Sequence, residues 1–507
     1  MLNTSNPNNY EYVTNHLLID ILGGIRLNHL DRLRVTISIQ KVKANEKLRH
    51  NLDLYNDNQV EKLVRNTAER LEIGTSIVRR ILQELTNELE SYRILQLEKE
   101  KSNEITIKEL TTGEKKEAIN FLKNGKLLSL TNKCIGKSGV IGEETNRLLM
   151  YLIFTSRKAN NPLHCISLGS SGAGKTHLQS KVSELIPQED KVEITVLSEN
   201  AFYYFNRTEL QNKLILIEDL DGAESVLYPL RELQTKRRIT KTVVHKDTRG
   251  NTKTIHLTVE GPVSVSGCTT KEQVYEDNSN RSFLLYIDES AEQDERIMEY
   301  QRKISAGKVN IEEELKAKEL LQNVQRVLSS VAIRNPYAEA LKIPNEVFKP
   351  RRTNAHYLQF IEAVTFYHQY QREKQYDKQT GEEYIETTIE DIQEANKLLS
   401  EILLRKSDTI SGACRNYFEV LKAHLQKEHQ TTFSNKQISF MLRIPLSTVK
   451  RYHLQLINTQ RIQLREKDKT GRHLYEITDY KEYQELKKTI VTVLDEAVAK
   501  LNGSIEA

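Results

Sequence analysis

Eight consecutive residues carry the most specific chemistry in this sequence: Gly169, Ser170, Ser171, Gly172, Ala173, Gly174, Lys175 and Thr176. They match G-x-x-x-x-G-K-[ST], a spacing in which glycines let the backbone N–H groups turn inward and cradle phosphates. The apolar run CISL before the loop reads as a strand, and HLQSKVSELI after it reads as a helix. The start of that helix adds a field favourable to anions. In this pattern Lys175 suits the β- and γ-phosphates of ATP and the Thr176 hydroxyl suits Mg²⁺.

Hydrolysis needs carboxylates beside that loop, and KLILIEDLDG at 213–222 supplies them. An apolar strand ends in Glu218 and Asp219, with Asp221 two residues further on. Glu218 suits the metal together with Thr176, and its neighbour suits polarisation of the attacking water. The usual order is Asp before Glu, so the reversed order leaves open which carboxylate acts as base. SVSGCTTKE at 264–272 reads as another central strand, and Thr269 or Thr270 at its C-terminal end could position the water. Arg281 stands just before the apolar run FLLYID. It reads either as a solvated charge or as a finger toward a neighbouring subunit's nucleotide.

Between these acids and threonines lies a hairpin signature at 240–261. Two β-branched runs flank a turn at Thr248-Arg249-Gly250-Asn251, and the tip carries His245, Lys246, Arg249 and Lys253. Such a tip either grips the phosphates of a single strand or only keeps the hairpin soluble. Upstream, AFYYFN at 201–206 offers Tyr203 and Phe205 for packing or for stacking on bases.

The elements that must position these groups follow from pattern. Residues 1–56 are polar with two strand-like runs, Arg34–Ile39 and Asn51–Tyr55. Apolar spacing of three and four predicts two helices over 57–110, broken near Gly74. Helices are predicted at 113–124, 143–156 and 311–330, and strands alternate with helices from 162 to about 290, an α/β pattern. Residues 371–389 read as an exposed excursion and 390–428 as helical. The last module reads as a winged helix over 415–478. Its third helix begins after Pro445 and offers Ser447, Thr448, Lys450, Arg451 and His453 to DNA. The wing, IQLREKDKTGRHLYEIT, offers Lys469 and Arg472.

Composition sets the outer limits. The 507 residues are too many for one core. Lys and Arg number 74 against 70 Asp and Glu, so any nucleic-acid contact must rest on local charge. The four cysteines, Cys134, Cys165, Cys268 and Cys414, stand far apart, which argues against a zinc ribbon or a disulfide framework and suits a reducing cytoplasm. No apolar run is long enough for a membrane span.

The order of phosphate loop, IEDLDG, basic hairpin, threonine-ended strand and NRSFLLYID resembles a helicase-type AAA+ ATPase. It is similar to the MCM superfamily, in which a pre-sensor hairpin lies between the Walker B and sensor 1 strands. Within that group it resembles the helicase portion of primase–helicase proteins on Bacteroidetes-type mobile elements, as LDLYNDNQVEKL and FKPRRTNAHYLQFIEAVTFYHQYQRE also suggest. The resemblance implies Walker A at Lys175 and Thr176, Walker B at Glu218 and Asp219, and sensor 1 at Thr269 or Thr270 in place of the more usual Asn. It implies an arginine finger at Arg281, a sensor 2 at Arg352, and a homo-hexamer with single-stranded DNA in its channel. The reversed acids and the missing Asn depart from the family pattern, as does the lack of a Cys/His zinc finger or primase domain.

The fold expected is α/β: a P-loop AAA+ core with a pre-sensor hairpin, a helical N-terminal region and a C-terminal winged helix. The expected divisions are 1–56, 57–110, 111–404 for the ATPase core with lid, and 405–507. The expected activity is ATP- and Mg²⁺-dependent movement on single-stranded DNA, in replication of a mobile element. Duplex at the winged helix and a separate primase or initiator are the expected further partners. The competing reading is a DNA-bound AAA+ switch that loads or recruits partners without unwinding.

Overall fold

The computed structural model describes residues 2–26, 32–42, 44, 46–102, 107–195, 200–221, 227–246, 252–271, 281–467, 471 and 473–505. They fall into two units, Met1–Ile107 and Lys108–Ala507.

The first unit is a five-stranded antiparallel sheet carrying two helices. Its strands are β1 (Leu2–Asn3), β2 (Asn9–Val13), β3 (Leu17–Leu22), β4 (Arg34–Lys41) and β5 (Lys47–Asp53), in that spatial order. Helices α1 (Asp57–Leu71) and α2 (Thr75–Ser102) follow. Asn56 caps α1 by accepting from the Gln59 N–H, and Glu72 ends it in a left-handed conformation. Alternate residues Leu17, Ile19 and Ile21 of β3 share one core with Leu63, Val64, Leu82 and Leu85 of the helices. Strands and helices on the two sides of residue 56 therefore form one folded body.

The second unit opens with α3 (Thr112–Leu122), α4 (Leu127–Lys137) and α5 (Glu144–Thr155). Alternating strands and helices then run β6 (His164–Leu168), α6 (Lys175–Ser183), β7 (Lys191–Ile194), β8 (Lys213–Ile217) and α7 (Leu227–Lys236). The hairpin strands β9 (Arg238–Lys246) and β10 (Thr252–Glu260) come next, then β11 (Val263–Thr269) and β12 (Phe283–Tyr286). Beyond them lie α8 (Ala291–Ser305), α9 (Ile311–Val327), β13 (Ala332–Arg334), α10 (Pro350–Tyr367), β14 (Gln375–Tyr376), β15 (Glu383–Glu386) and α11 (Ile389–Ser407).

The central sheet has the order β12-β6-β11-β8-β7 and is parallel throughout. Its inner strands β6, β11 and β8 are buried on both faces, as inner strands of a parallel sheet are. Along β8, Leu214 and Leu216 join the larger core with α5, while Ile215 and Ile217 join the core under α7. A parallel sheet brings all its C-terminal strand ends to one edge, and the phosphate loop, the acids and the threonines are all at such ends. The exposed excursion expected at 371–389 is in part ordered: β15 pairs with β14 and, in parallel, with β13.

The chain ends with α12 (Gly412–Lys427), β16 (Thr432–Phe433), α13 (Asn435–Met441), α14 (Leu446–Asn458), β17 (Ile462–Lys467), β18 (His473–Ile477) and α15 (Glu482–Ile505). The helical stretch expected over 390–428 is two helices, because Asp408 leaves α11 in an extended conformation and Ser411 caps α12. Buried Arg415 donates to Asp408 and to Glu482 at 2.6 and 2.5 Å, tying the α11–α12 junction to the start of α15.

One buried ion pair gives a stability prediction. Asp391 is fully buried, forms a capping box with Thr388 and accepts from Arg372 at 2.6 Å. Burial pushes its carboxyl up, but His368 and Arg372 outweigh that and hold it at about 2. The folded state therefore gains from this carboxylate above the ordinary value of about 4, and loses the gain as pH falls toward 2. Asp391→Ala should cost about 3–5 kcal/mol by taking from Arg372, whose side chain is 11% exposed, the carboxylate that neutralises it. Urea unfolding at neutral pH would show it, and a loss below about 1 kcal/mol would contradict it.

Candidate functional site

The phosphate loop leaves β6 at Gly169 and enters α6 at Lys175. Gly172 and Gly174 have φ of +85° and +89°, the left-handed region that glycine adopts without penalty, and a Cβ at either would meet nothing within 4 Å. The loop is thus an open backbone concavity. No side chain caps α6, which leaves its first N–H groups available to an anion. Lys175 is buried and folded onto its own loop, donating to the Gly169 carbonyl at 2.9 Å and the Ser170 carbonyl at 2.5 Å. An amine already aimed into such a loop, with Thr176 exposed beside it, fits a polyphosphate with its metal.

Glu218 and Asp219 follow β8 and are exposed. The Cys268 thiol marks how these parts converge. Burial pushes it up to about 12, while Thr176, Lys175 and Asp219 all act on it. Thr176, Lys175, Asp219 and the end of β11 therefore share one neighbourhood. Gln179 of α6 locks it: its amide donates to the Ile217 carbonyl at 3.2 Å, and its oxygen accepts from Ser266 at 2.8 Å.

The two threonines expected to face water are both engaged. Thr269 donates to one oxygen of Asp221 at 2.6 Å, and Thr270 donates to the other at 2.9 Å. Burial pushes the Asp221 carboxyl up, but these bonds outweigh it and hold it below the usual carboxylate range. Glu289, just after β12, accepts from the Ser170 N–H at 2.6 Å and its hydroxyl at 2.8 Å, bracing the start of the phosphate loop. Next to it, Glu143 accepts from the Asp288 N–H at 2.7 Å. Sequence reading singled out neither Gln179 nor Glu289, and gave Asp221 no role.

Arg281 and Arg352 do not join this group. Arg281 precedes β12, donates from Nε to Thr235 at 3.0 Å and lies near His164, the first residue of β6. Burial holds His164 down at about 3, and the Arg281 charge adds to that effect. At about 3.3 Å per residue, β6 separates this end from the phosphate loop by about 13 Å. Arg352 is exposed in the first turn of α10. Its charge is felt at His356, whose ring packs on Phe283 at the start of β12. Both arginines therefore lie at the edge of the sheet opposite their own Lys175.

The hairpin strands pair over nine residues each, from Arg238↔Glu260 to Lys246↔Thr252. Arg249, with the side chains of Lys246 and Lys253, lies outside the described residues, as do Lys469 and Arg472. On α14, Ser447, Lys450 and Arg451 are exposed. His453 is not available to DNA: it is buried, bonded to Tyr417 at 2.6 Å, and held down at about 4 by burial. Among the described residues the four cysteines are buried and form no disulfide, and no helix is long and apolar enough to cross a membrane.

A parallel sheet, a glycine loop feeding a helix, and acids at the adjacent strand ends define a P-loop domain. A family model described as the MTBMA_p00010 P-loop domain matches residues 109–330. No curated protein matches the chain. Among solved structures the chain is similar to a full-length MCM homolog from Methanopyrus kandleri, at 13% identity and a TM-score of 0.38. That alignment covers 60% of this chain and 64% of the homolog, just under two thirds of its length. It is also similar to the C-terminal region of NrS-1, at 15% identity and a TM-score of 0.22, covering 73% of this chain and 76% of that one. A third is the Drosophila ORC bound to DNA, at 10% identity and a TM-score of 0.22, covering 76% of this chain and 94% of that one.

Proposed function

We propose that the chain is an AAA+ ATPase that couples ATP hydrolysis to movement on single-stranded DNA as a ring-forming helicase or translocase. The observation that carries this reading is the placement of Arg281 and Lys175 at opposite edges of one sheet. A site whose charge-compensating arginine cannot reach its own phosphate loop is completed by the next copy, which makes assembly a condition of turnover. The strand order and the hairpin inserted before β11 support the same reading.

In this mechanism the loop N–H groups and Lys175 bind the phosphates of ATP. Thr176 and Glu218 would hold Mg²⁺, which would supply charge neutralisation to the phosphates. Asp219 takes the proton of the attacking water, and Thr269 or Thr270, each donating to Asp221, orients that water by accepting from it. Arg281, with Arg352, stabilises charge on the neighbour's γ-phosphate. Lys246, Arg249 and Lys253 on the hairpin hold strand phosphates. The C-terminal order of helix, strand, two helices and hairpin supports a winged-helix reading, in which Ser447, Lys450 and Arg451, with Lys469 and Arg472 of the wing, would be offered to duplex DNA. Replication of a mobile element, in a homo-hexamer with a separate primase or initiator, is the setting we assign.

Unwinding of a forked duplex with ATP and Mg²⁺ tests the proposal. Wild type should separate strands, and joint neutralisation of Lys246, Arg249 and Lys253 should abolish unwinding. Wild type that hydrolyses ATP without separating strands would instead identify a DNA-bound switch.

A further inference from the structure

At the foot of the hairpin is a cleft of about 510 Å³, lined by Tyr203, Tyr228, Lys236, Arg237 and Arg238 among others. Its size lies within the roughly 300–1,000 Å³ typical of small-ligand sites. The aromatic residues are unusual for their positions. Tyr228 is 62% exposed in the first turn of α7, where neither packing nor helix propensity calls for a large ring. Tyr203 is half-buried, its hydroxyl pushed up by burial and by the nearness of Tyr228 and Glu232. Lys241 lies 5.6 Å from the Tyr203 ring centroid, and Arg231 lies 6.0 Å from that of Tyr228.

Charge around the cleft is lopsided. Lys236, Arg237 and Arg238 are consecutive and exposed, and Arg207, Arg231 and Lys241 stand beside them. Two lining carboxylates oppose them, Glu232 and Glu260. Glu232 pairs with Lys236 at 2.6 Å and Glu260 with Arg207 at 2.7 Å, both with exposed cations. Exposed pairs of this kind hold their partners by at most about 1 kcal/mol, so the cations can turn to a phosphate. Arg238 makes no ion pair among the described residues.

Aromatic faces beside a row of cations are what a single nucleic-acid strand requires: rings for unstacked bases and charges for the backbone. We propose that this cleft takes an unstacked base of single-stranded nucleic acid against the Tyr203 and Tyr228 rings, with adjoining phosphates on Lys236, Arg237 and Arg238. The inference rests on the DNA-translocase reading but adds a contact to bases, at the foot of the hairpin, to the phosphate contacts at its tip. Base stacking tolerates any sequence, so the site would hold a strand without selecting it.

Fluorescence anisotropy with a labelled oligothymidylate, and with the same strand carrying abasic sites, tests the proposal. Wild type should prefer the intact strand by about ten-fold. Tyr228→Ala should bring that ratio close to one without changing the salt dependence, and Tyr228→Phe should retain it. Arg238→Ala should weaken both strands equally and make the salt dependence shallower by about one ion. If wild type binds both strands equally, the base contact is refuted and the translocase reading stands, a comparison that needs no variant. If wild type binds neither strand, both fall. Tyr228→Ala keeping the full preference would place the bases elsewhere. Thymidine monophosphate binding in the cleft while the strand does not would make it a small-molecule site and overturn the proposal.

Discussion

Lys175→Ala should abolish ATP turnover, lowering it by at least about 10²–10³-fold, the range found when one preorganised donor is removed from a site of developing charge. The geometry explains why nothing else substitutes for this amine. Its stem is buried, and its Nζ is held by the carbonyls of Gly169 and Ser170, so it is delivered to the loop before any phosphate arrives. Lys175→Arg should fare almost as badly, since a planar guanidinium cannot take the position of a compact ammonium held by the Gly169 and Ser170 carbonyls together. Phosphate release and binding of a fluorescent ATP analogue would separate lost affinity from lost chemistry. Near-normal turnover in Lys175→Ala would remove the phosphate loop from the site.

How much of this site could be read in advance depended on distance along the chain. The phosphate loop is local, because its glycines, lysine and threonine are consecutive and carry their geometry with them. The strand before Glu218 was legible for a similar reason, since KLILI is buried on both faces. The partners of the threonines were not legible, because Asp221 is 48 residues from Thr269 and becomes its neighbour only when β8 pairs with β11. Glu289 is 119 residues from Ser170 and meets it because β12 pairs with β6. His453 is the opposite case. It stands four residues after buried Val449 and three before buried Leu456, so the helical period placed it in the core, and only its polar type suggested DNA. The first three strands were hidden by their polar connections, although Leu17, Ile19 and Ile21 alternate as a half-buried strand must.

Arg281→Ala should lower turnover by about 10³-fold or more, the scale of an arginine supplied to a transferring phosphoryl group. Its binding of ATP should change little, because this side chain lies at the end of the sheet away from its own loop. That combination separates it from Lys175→Ala, and it leads to a sharper test. Neither variant is expected to hydrolyse ATP alone. Mixed together, however, they form junctions in which one copy contributes an intact Lys175 and the next an intact Arg281. Activity should therefore reappear on mixing, at constant total protein, and should peak at intermediate ratios. No arrangement in which each copy completes its own site can produce that result, since every copy in the mixture lacks one of the two groups. A mixture that stays silent while both variants still assemble would mean that Arg281 acts within its own fold, through its bond to Thr235 and its place beside His164. The strand that links Arg281 to Glu289 would then be a structural edge, not the line along which one site reports to the next.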